Sequence, residues 1–362
     1  MTALGQRLLR RIEAAGPLGI ADYMAACLFD PGHGYYTTRE PFGAAGDFTT
    51  APEISQMFGE LLAAWLVAAW RDAGSPPGAV VAEIGPGRGT MMKDVARTVA
   101  RLAPDLAASA RFALVEASPR LREVQRATLA GAGTVFSWHD SIAALPAGPL
   151  FIAANELFDA LPMRQFVKTA AGWRERVVGI GPDGGLAFMA GAAGIDPALL
   201  PPDAAAAAPG AIVEAAPARE ALMETVAERL AAGGGAGLFV DYGYVGPALG
   251  DTLQALRRHR YDDPLAAPGE ADLTSHVDFA PLAAAASRHG LSAEIAAQGD
   301  FLLGLGLLER AGALGARQDE AGRERIRQAV ERLAGPAGMG SLFKVMSVRT
   351  PGTGATLSTR AD

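Results

Sequence analysis

Apolar positions along the chain recur at two different spacings, and the switches between them mark out the elements. Between residues 50 and 70, Ile54, Met57, Phe58, Leu61, Leu62, Trp65 and Leu66 return three and four residues apart. That spacing predicts a strong amphipathic helix, and Thr50 with Glu53 three residues on fits a capping box at its start. Leu4, Leu8 and Ile12 share one stripe that Gly16-Pro17 stops, which predicts an N-terminal surface helix. A loop rich in Gly and Pro follows to about residue 45.

After the break at Gly74–Gly78, short apolar runs alternate with helical stripes. Ala79–Ile84, Phe112–Glu116, Thr134–Ser137 and Pro149–Ala154 read as strands. Met92, Val95, Val99 and Leu102 mark one intervening helix, and Ser118-Pro119 starts another. Strands separated by helices imply βαβ units and a mainly parallel sheet. Arg164–Thr169 and Trp173–Ile180 then read as a β-hairpin, Gly185–Met189 as a further extended stretch, and residues 190–210 as a low-complexity surface loop. A helix over 217–232 and a fifth strand ending near Asp241 resume the α/β rhythm. A polar insertion over 243–275, a helix over 277–289, a strand over 291–297, two helices across 300–334 and a last strand Leu342–Arg349 complete the chain.

The expectation is one elaborated α/β domain. Residues 1–75 form a helical cap and signature loop, 76–160 the first half, 161–210 an inserted β region, 211–350 the second half, and 351–362 a disordered tail.

Composition narrows the function classes. The 362 residues are 50% hydrophobic, enough for a sizeable core. A net charge of −7 argues against a broad nucleic-acid or anionic-membrane surface. No apolar run approaches the roughly 20 residues of a membrane span. The single cysteine, Cys27, excludes an internal disulfide framework, and the five His are scattered without metal-binding spacing. These features suit a reducing, cytoplasmic compartment, or the mitochondrial matrix if the Arg-rich opening is a transit peptide.

The sharpest chemical signal is Glu83-Ile84-Gly85-Pro86-Gly87-Arg88-Gly89-Thr90, which follows an apolar strand and opens a helix. Three glycines let the backbone turn tightly and approach a ligand, and the helix N-terminus offers free N–H groups. The spacing is neither the dinucleotide fingerprint nor a Walker loop. Glu116 closes the second strand, where an acid can accept both hydroxyls of a ribose. Asp140, Asn155-Glu156 and Asp241 follow the next three strands, so five carboxyl ends each carry Gly, an acid or an amide. An acidic crevice there suits a cationic cofactor, a cationic substrate, or both. Glu156 and Asp159 would share one face of a helical turn and could grip a guanidinium, with Asn155 accepting an N–H. N-capping by Asn155 and acids favoured at a helix start are the alternative.

These residues resemble the first two motifs of class I S-adenosylmethionine-dependent methyltransferases. Four more segments resemble the MidA-type family, which includes a mitochondrial complex I assembly arginine methyltransferase. They are the run Gly46–Glu60 (GDFTTAPEISQMFGE), the Asn155–Pro162 corner, Val240–Gly243, and Ala267–Thr274 (APGEADLT). Asn155 stands where some members have His.

The resemblance implies a Rossmann-like, seven-stranded, mostly parallel sheet with helices on both faces. It implies methyl transfer from S-adenosylmethionine to an arginine of a protein, in the mitochondrial relatives a core subunit of respiratory complex I, giving symmetric dimethylarginine. Carried over by position, Glu83, Gly85, Gly87 and Gly89 line the methionine end, Glu116 takes the ribose and Asp140 lies near the adenine. Asp47, Thr50, Pro52, Glu53, Ser55 and Gln56 close over cofactor and substrate. Glu156, with Asp159 or Asp47, holds the guanidinium. No nucleic-acid partner or metal is expected, and a homodimer is compatible with the sequence. A dinucleotide-dependent oxidoreductase, a non-catalytic S-adenosylmethionine-binding assembly chaperone and a small-molecule methyltransferase stand as rivals.

Overall fold

The computed structural model describes residues 1–38, 50–257, 260–351 and 357. The chain forms two compact units. One draws on Met1–Phe48, Phe158–Ala221 and Val245–Ala280, the other on Thr49–Leu157, Leu222–Tyr244 and Pro281–Asp362.

In the first unit the expected N-terminal helix forms over Ala3–Ala15, and a second helix follows over Ile20–Phe29. The Leu4, Leu8 and Ile12 stripe is buried, packed in one cluster with Ile20, Tyr23, Met24, Val178 and Leu273. The hairpin expected around Ala170-Ala171-Gly172 forms between Arg164–Thr169 and Gly172–Ile180, with Lys168 opposite Trp173. Ile212–Ala215 and Leu186–Ala190 extend it on either side. Residues 190–210 are more than a surface loop: Ala204 is buried with Phe166, Trp173 and Val213. The stretch read as a polar insertion contains a three-stranded sheet of Gln254–Arg257, Arg260–Asp262 and Asp272–Thr274.

The second unit is built on a sheet whose main path holds seven strands. They are β1 (Val80–Ile84), β2 (Arg111–Val115), β3 (Phe136–His139), β4 (Leu150–Asn155), β5 (Gly235–Tyr244), β6 (Ser292–Ala297) and β7 (Phe343–Arg349). Their order is β6-β7-β5-β4-β1-β2-β3. β5, β4, β1, β2 and β3 run parallel, while β7 is antiparallel to both β5 and β6. Register brings the parallel strands to a common edge: Ile84 lies opposite Val115, Val115 opposite His139, and Glu83 opposite Ala153. Gly85, Glu116, Asp140 and Asn155 therefore leave the sheet at one end. In open α/β sheets, ligands bind outside that end.

The helices nearest this edge are α1 (Ala51–Ile54), α2 (Gln56–Asp72), α3 (Thr90–Leu102) and α4 (Pro119–Leu129). The single helix predicted over 50–70 is thus two. Ser55 is extended (φ −161°, ψ 141°), and its hydroxyl accepts the Met57 N–H at 3.2 Å to restart the helix as its N-cap. Thr50 makes no side-chain cap bond, so the expected capping box does not form. A β-carbon on Gly59 would lie 2.8 Å from Asp94 Cβ, so only glycine lets α2 and α3 pack at this distance. Three helices, not two, cross 300–334: Gln298–Gly304, Leu307–Gly315 (α5) and Glu320–Ala334 (α6). Gly306 breaks the first pair with φ 88°. Buried Glu60 on α2 joins this side of the unit, accepting Arg310 Nε at 2.6 Å and Arg97 Nη2 at 3.1 Å. Among the described residues no helix is long and apolar enough to cross a membrane.

Candidate cofactor site

Every residue of β1 is buried, and the chain leaves it through a turn that needs glycine. Gly85, Gly87 and Gly89 take φ values of 62°, 50° and 82°, a region costly for residues with a β-carbon. A β-carbon on Gly85 would also meet Leu157 Cδ1 at 2.9 Å. Gly89 is the N-cap of α3, so the loop ends on a helix N-terminus suited to a negative ligand group.

Glu83 is buried beneath this turn, where it accepts the Met92 backbone N–H from the first turn of α3. Burial pushes its carboxyl up to about 8 against the pull of that hydrogen bond. One carboxyl oxygen has no hydrogen-bond partner among the described residues.

Glu116 leaves β2 almost fully buried. Its Oε1 accepts the Ser118 N–H at 2.8 Å and its Oε2 accepts Gln125 Nε2 at 3.1 Å. Burial raises its pKa, and the donors from Ser118 and Gln125 oppose that shift. β3 lies two residues later than the sequence suggested, so Asp140 follows it directly. Asp140 is exposed and pairs with Arg122 at 2.5 Å, and Arg122 Nε also donates to the Glu116 carbonyl at 2.7 Å.

Asn155 ends β4, and Glu156 follows in the left-handed region at φ 51°. That conformation costs a non-glycine residue about 1–3 kcal/mol and persists only where surrounding contacts impose it. Here the Glu156 N–H donates to the Val240 carbonyl at 2.8 Å. Glu156 Oε1 accepts Asn155 Nδ2 at 2.9 Å and the Ala51 N–H at 3.4 Å. Asn155 Oδ1 is buried with no partner among the described residues.

Several expectations change. β5 continues to Tyr244, so Asp241 is not at a strand end. It is fully buried, and its carboxylate accepts the Leu157 and Tyr242 N–H groups at 3.1 and 3.0 Å, fixing the turn after β4. The helical turn that would align Glu156 with Asp159 does not form, because Glu156 turns left-handed. Asp159 belongs to the first unit, where its carbonyl accepts the Ser275 N–H and Arg219 Nη2. Glu53 is turned toward the glycine loop and accepts the Thr90 hydroxyl at 2.7 Å. Gln56 donates to Glu60 at 3.1 Å, Thr50 is the N-cap residue of α1, and Pro52 lies in its first turn. Asp47 lies outside the described residues.

The second unit thus brings Glu53, Glu83, the glycine loop, Glu116, Asp140, Asn155 and Glu156 together around β1–β4. Thr90, the last residue of the glycine motif, joins them through Glu53, and Gln125 joins them unforeseen. Gln125 was visible as a polar residue on the buried Leu121–Leu129 stripe of α4, four residues from each neighbour. No cluster among the described residues could hold a metal. A backbone cradle, a buried acid able to take a diol and an orphaned acceptor fit an amino-acid-bearing nucleoside better than a polyphosphate.

Comparison with known proteins agrees. The model of the S-adenosyl-L-methionine-dependent methyltransferase family matches residues 61–297, which include the glycine loop and β1–β6. The chain is 34% identical over 367 residues to the Danio rerio protein arginine methyltransferase NDUFAF7, mitochondrial, covering 95% of this chain and 86% of that one. Identity to the Homo sapiens protein of the same name is 34% over 374 residues, covering 96% and 83%. A Burkholderia thailandensis protein crystallised with S-adenosyl-homocysteine superposes with a TM-score of 0.84 at 31% identity, covering 98% of this chain and 94% of that one. The chain belongs to the family of S-adenosyl-L-methionine-dependent methyltransferases.

Proposed function

We propose that this methyltransferase modifies an arginine side chain of a protein. In this reading it forms symmetric dimethylarginine on a core subunit of respiratory complex I and so aids assembly of that complex, in a cytoplasmic or mitochondrial-matrix setting. The observation that carries the reading is the Asn155–Glu156 corner. It sets a carboxylate, and an amide oxygen without a partner among the described residues, at the sheet edge that also carries the glycine loop. Carboxylates recognise guanidinium through paired charge-assisted hydrogen bonds. The names of the curated relatives support the same substrate class.

The residues divide the work as follows. The backbone of Gly85, Gly87 and Gly89 and the N-terminus of α3 hold the methionine end of the cofactor, with Glu83 fixing the loop from below. Glu116 accepts the ribose hydroxyls, and Asp140 lies toward the adenine. S-adenosylmethionine supplies a methyl group on a sulfonium, a good leaving group. Glu156 accepts N–H groups of the guanidinium, and Asn155 Oδ1 takes a further donor, so that one nitrogen is held ready for in-line attack. Orientation of this kind contributes several kcal/mol to a displacement.

Transfer of labelled methyl groups to purified complex I subunits, followed by mass spectrometry of arginine products, tests this. The expected product is symmetric dimethylarginine, absent from cells lacking the protein. Glu156→Gln should lower turnover about 100-fold or more. Its affinity for S-adenosylhomocysteine should stay within about threefold, since the cofactor contacts lie elsewhere. Wild-type turnover in that variant removes Glu156 from the reaction. Cofactor binding without any transfer to protein would favour the assembly-chaperone role.

A further inference from the structure

Gln125 has no exposed surface. A buried polar side chain has to find its partners within the protein, and Gln125 finds three. Its Nε2 donates to the Gly87 carbonyl at 2.8 Å and to Glu116 Oε2 at 3.1 Å. Its Oε1 accepts the Trp138 indole N–H at 2.9 Å. An indole nitrogen can only donate, which fixes the oxygen end of the amide toward Trp138. Both amide hydrogens then face the cofactor side, one on the glycine loop and one on the acid. Trp138 is itself held, with the Arg126 guanidinium 4.9 Å over its ring.

We propose that Gln125 is a positioning residue for ribose recognition, setting the orientation of the Glu116 carboxylate and its distance from the glycine loop. This rests on Glu116 being the ribose acid. The carboxylate receives the Ser118 N–H on Oε1 and Gln125 Nε2 on Oε2, and the Ala117 N–H donates to it as well. Donors on both oxygens stop the group rotating and leave acceptor capacity for a ribose hydroxyl. Gln125 also links this acid to Gly87 through one nitrogen, so loop and acid move together. A β-carbon at Gly89 would lie 3.5 Å from Gln125 Cγ, so the same side chain packs beneath the third glycine of the loop.

Two variants separate positioning from packing. Gln125→Leu keeps the bulk and removes all three hydrogen bonds. Gln125→Glu keeps an acceptor for Trp138, loses both donors and sets a second carboxylate against Glu116. Dissociation constants are measured for S-adenosylhomocysteine and for its 2′-deoxyribose counterpart, with melting temperatures recorded alongside. The wild type should prefer the ribose ligand by about tenfold or more, as expected for hydrogen bonds to a charged acceptor. In both variants the preference should fall to about threefold or less, because a mispointed carboxylate no longer distinguishes the two sugars. A purely structural role would lower the melting temperature and leave the ratio intact, most clearly in Gln125→Glu, and that result overturns the inference. If the wild type itself shows no ribose preference, Glu116 is not the ribose acid and the proposal falls with it.

Discussion

At the scale of single residues, the acids of the second unit divide by what surrounds them. Glu116 and Glu156 stand at strand ends and accept both side-chain and backbone donors, whereas Glu83 and Asp241 lie inside strands, Glu83 accepting the Met92 N–H and Asp241 those of Leu157 and Tyr242. Glu83 has a measurable consequence. Its folded-state pKa is raised by burial from the usual 4.5 to about 8, so the folded protein holds this proton more tightly than the unfolded chain. The stabilisation is complete below the unfolded pKa and is lost as pH rises through the folded value. Between about pH 4.5 and 8 the cost reaches at most about 1.4 kcal/mol per pH unit. Glu83→Gln cannot ionise and should flatten this slope. In denaturant titrations at pH 6 and pH 9, the variant should gain stability relative to wild type at the higher pH. An unchanged difference across that range would show that Glu83 stays ionised in the folded protein.

At the scale of elements, the turns after β1 and β4 touch through Gly85 and Leu157. Gly85→Ala should force Leu157 aside and strain a left-handed residue by about 1–2 kcal/mol, weakening S-adenosylhomocysteine binding roughly tenfold. Adding Leu157→Ala should recover part of that loss, the steric part, and calorimetric titration of both variants would show it. Full affinity in Gly85→Ala would mean that the loop is not the cradle. Here the elements and their order were legible in the sequence, because strands β1, β2 and β4 are almost uninterrupted apolar runs without glycine. The split at Ser55 was not, since one extended residue barely disturbs an apolar period. The same holds for the partner of Glu53: local spacing offers the capping box, and only tertiary structure brings Thr90 within 2.7 Å. Asp241 looked like a strand end because a polar residue after an apolar run is the usual stop signal, yet β5 continues as its carboxylate is satisfied from the neighbouring turn.

At the scale of the molecule, both units are assembled from separated stretches of chain. Among the described residues, the larger core cluster of the first unit takes Leu4, Leu8, Ile12, Leu18, Ile20, Tyr23, Met24, Cys27 and Leu28 from the N-terminal segment, against seven buried members from later in the chain. That of the second unit begins at Ala51 and uses none of them. Each buried aliphatic or aromatic side chain contributes about 1.5–3 kcal/mol, and a domain is stable by only about 5–15 kcal/mol. Deleting residues 1–30 should therefore unfold the first unit. Limited proteolysis of the truncated protein should cut within 158–221 and 245–280. The segments 50–157, 222–244 and 281–350 should stay protected, held together by the pairing of β5 with β4 and β7. Because the glycine loop, Glu116 and Gln125 all lie in the second unit, S-adenosylhomocysteine should still bind the truncated protein and raise its melting temperature. Uniform digestion, with no protection by that ligand, would show instead that the cofactor unit cannot hold its sheet without the N-terminal helices.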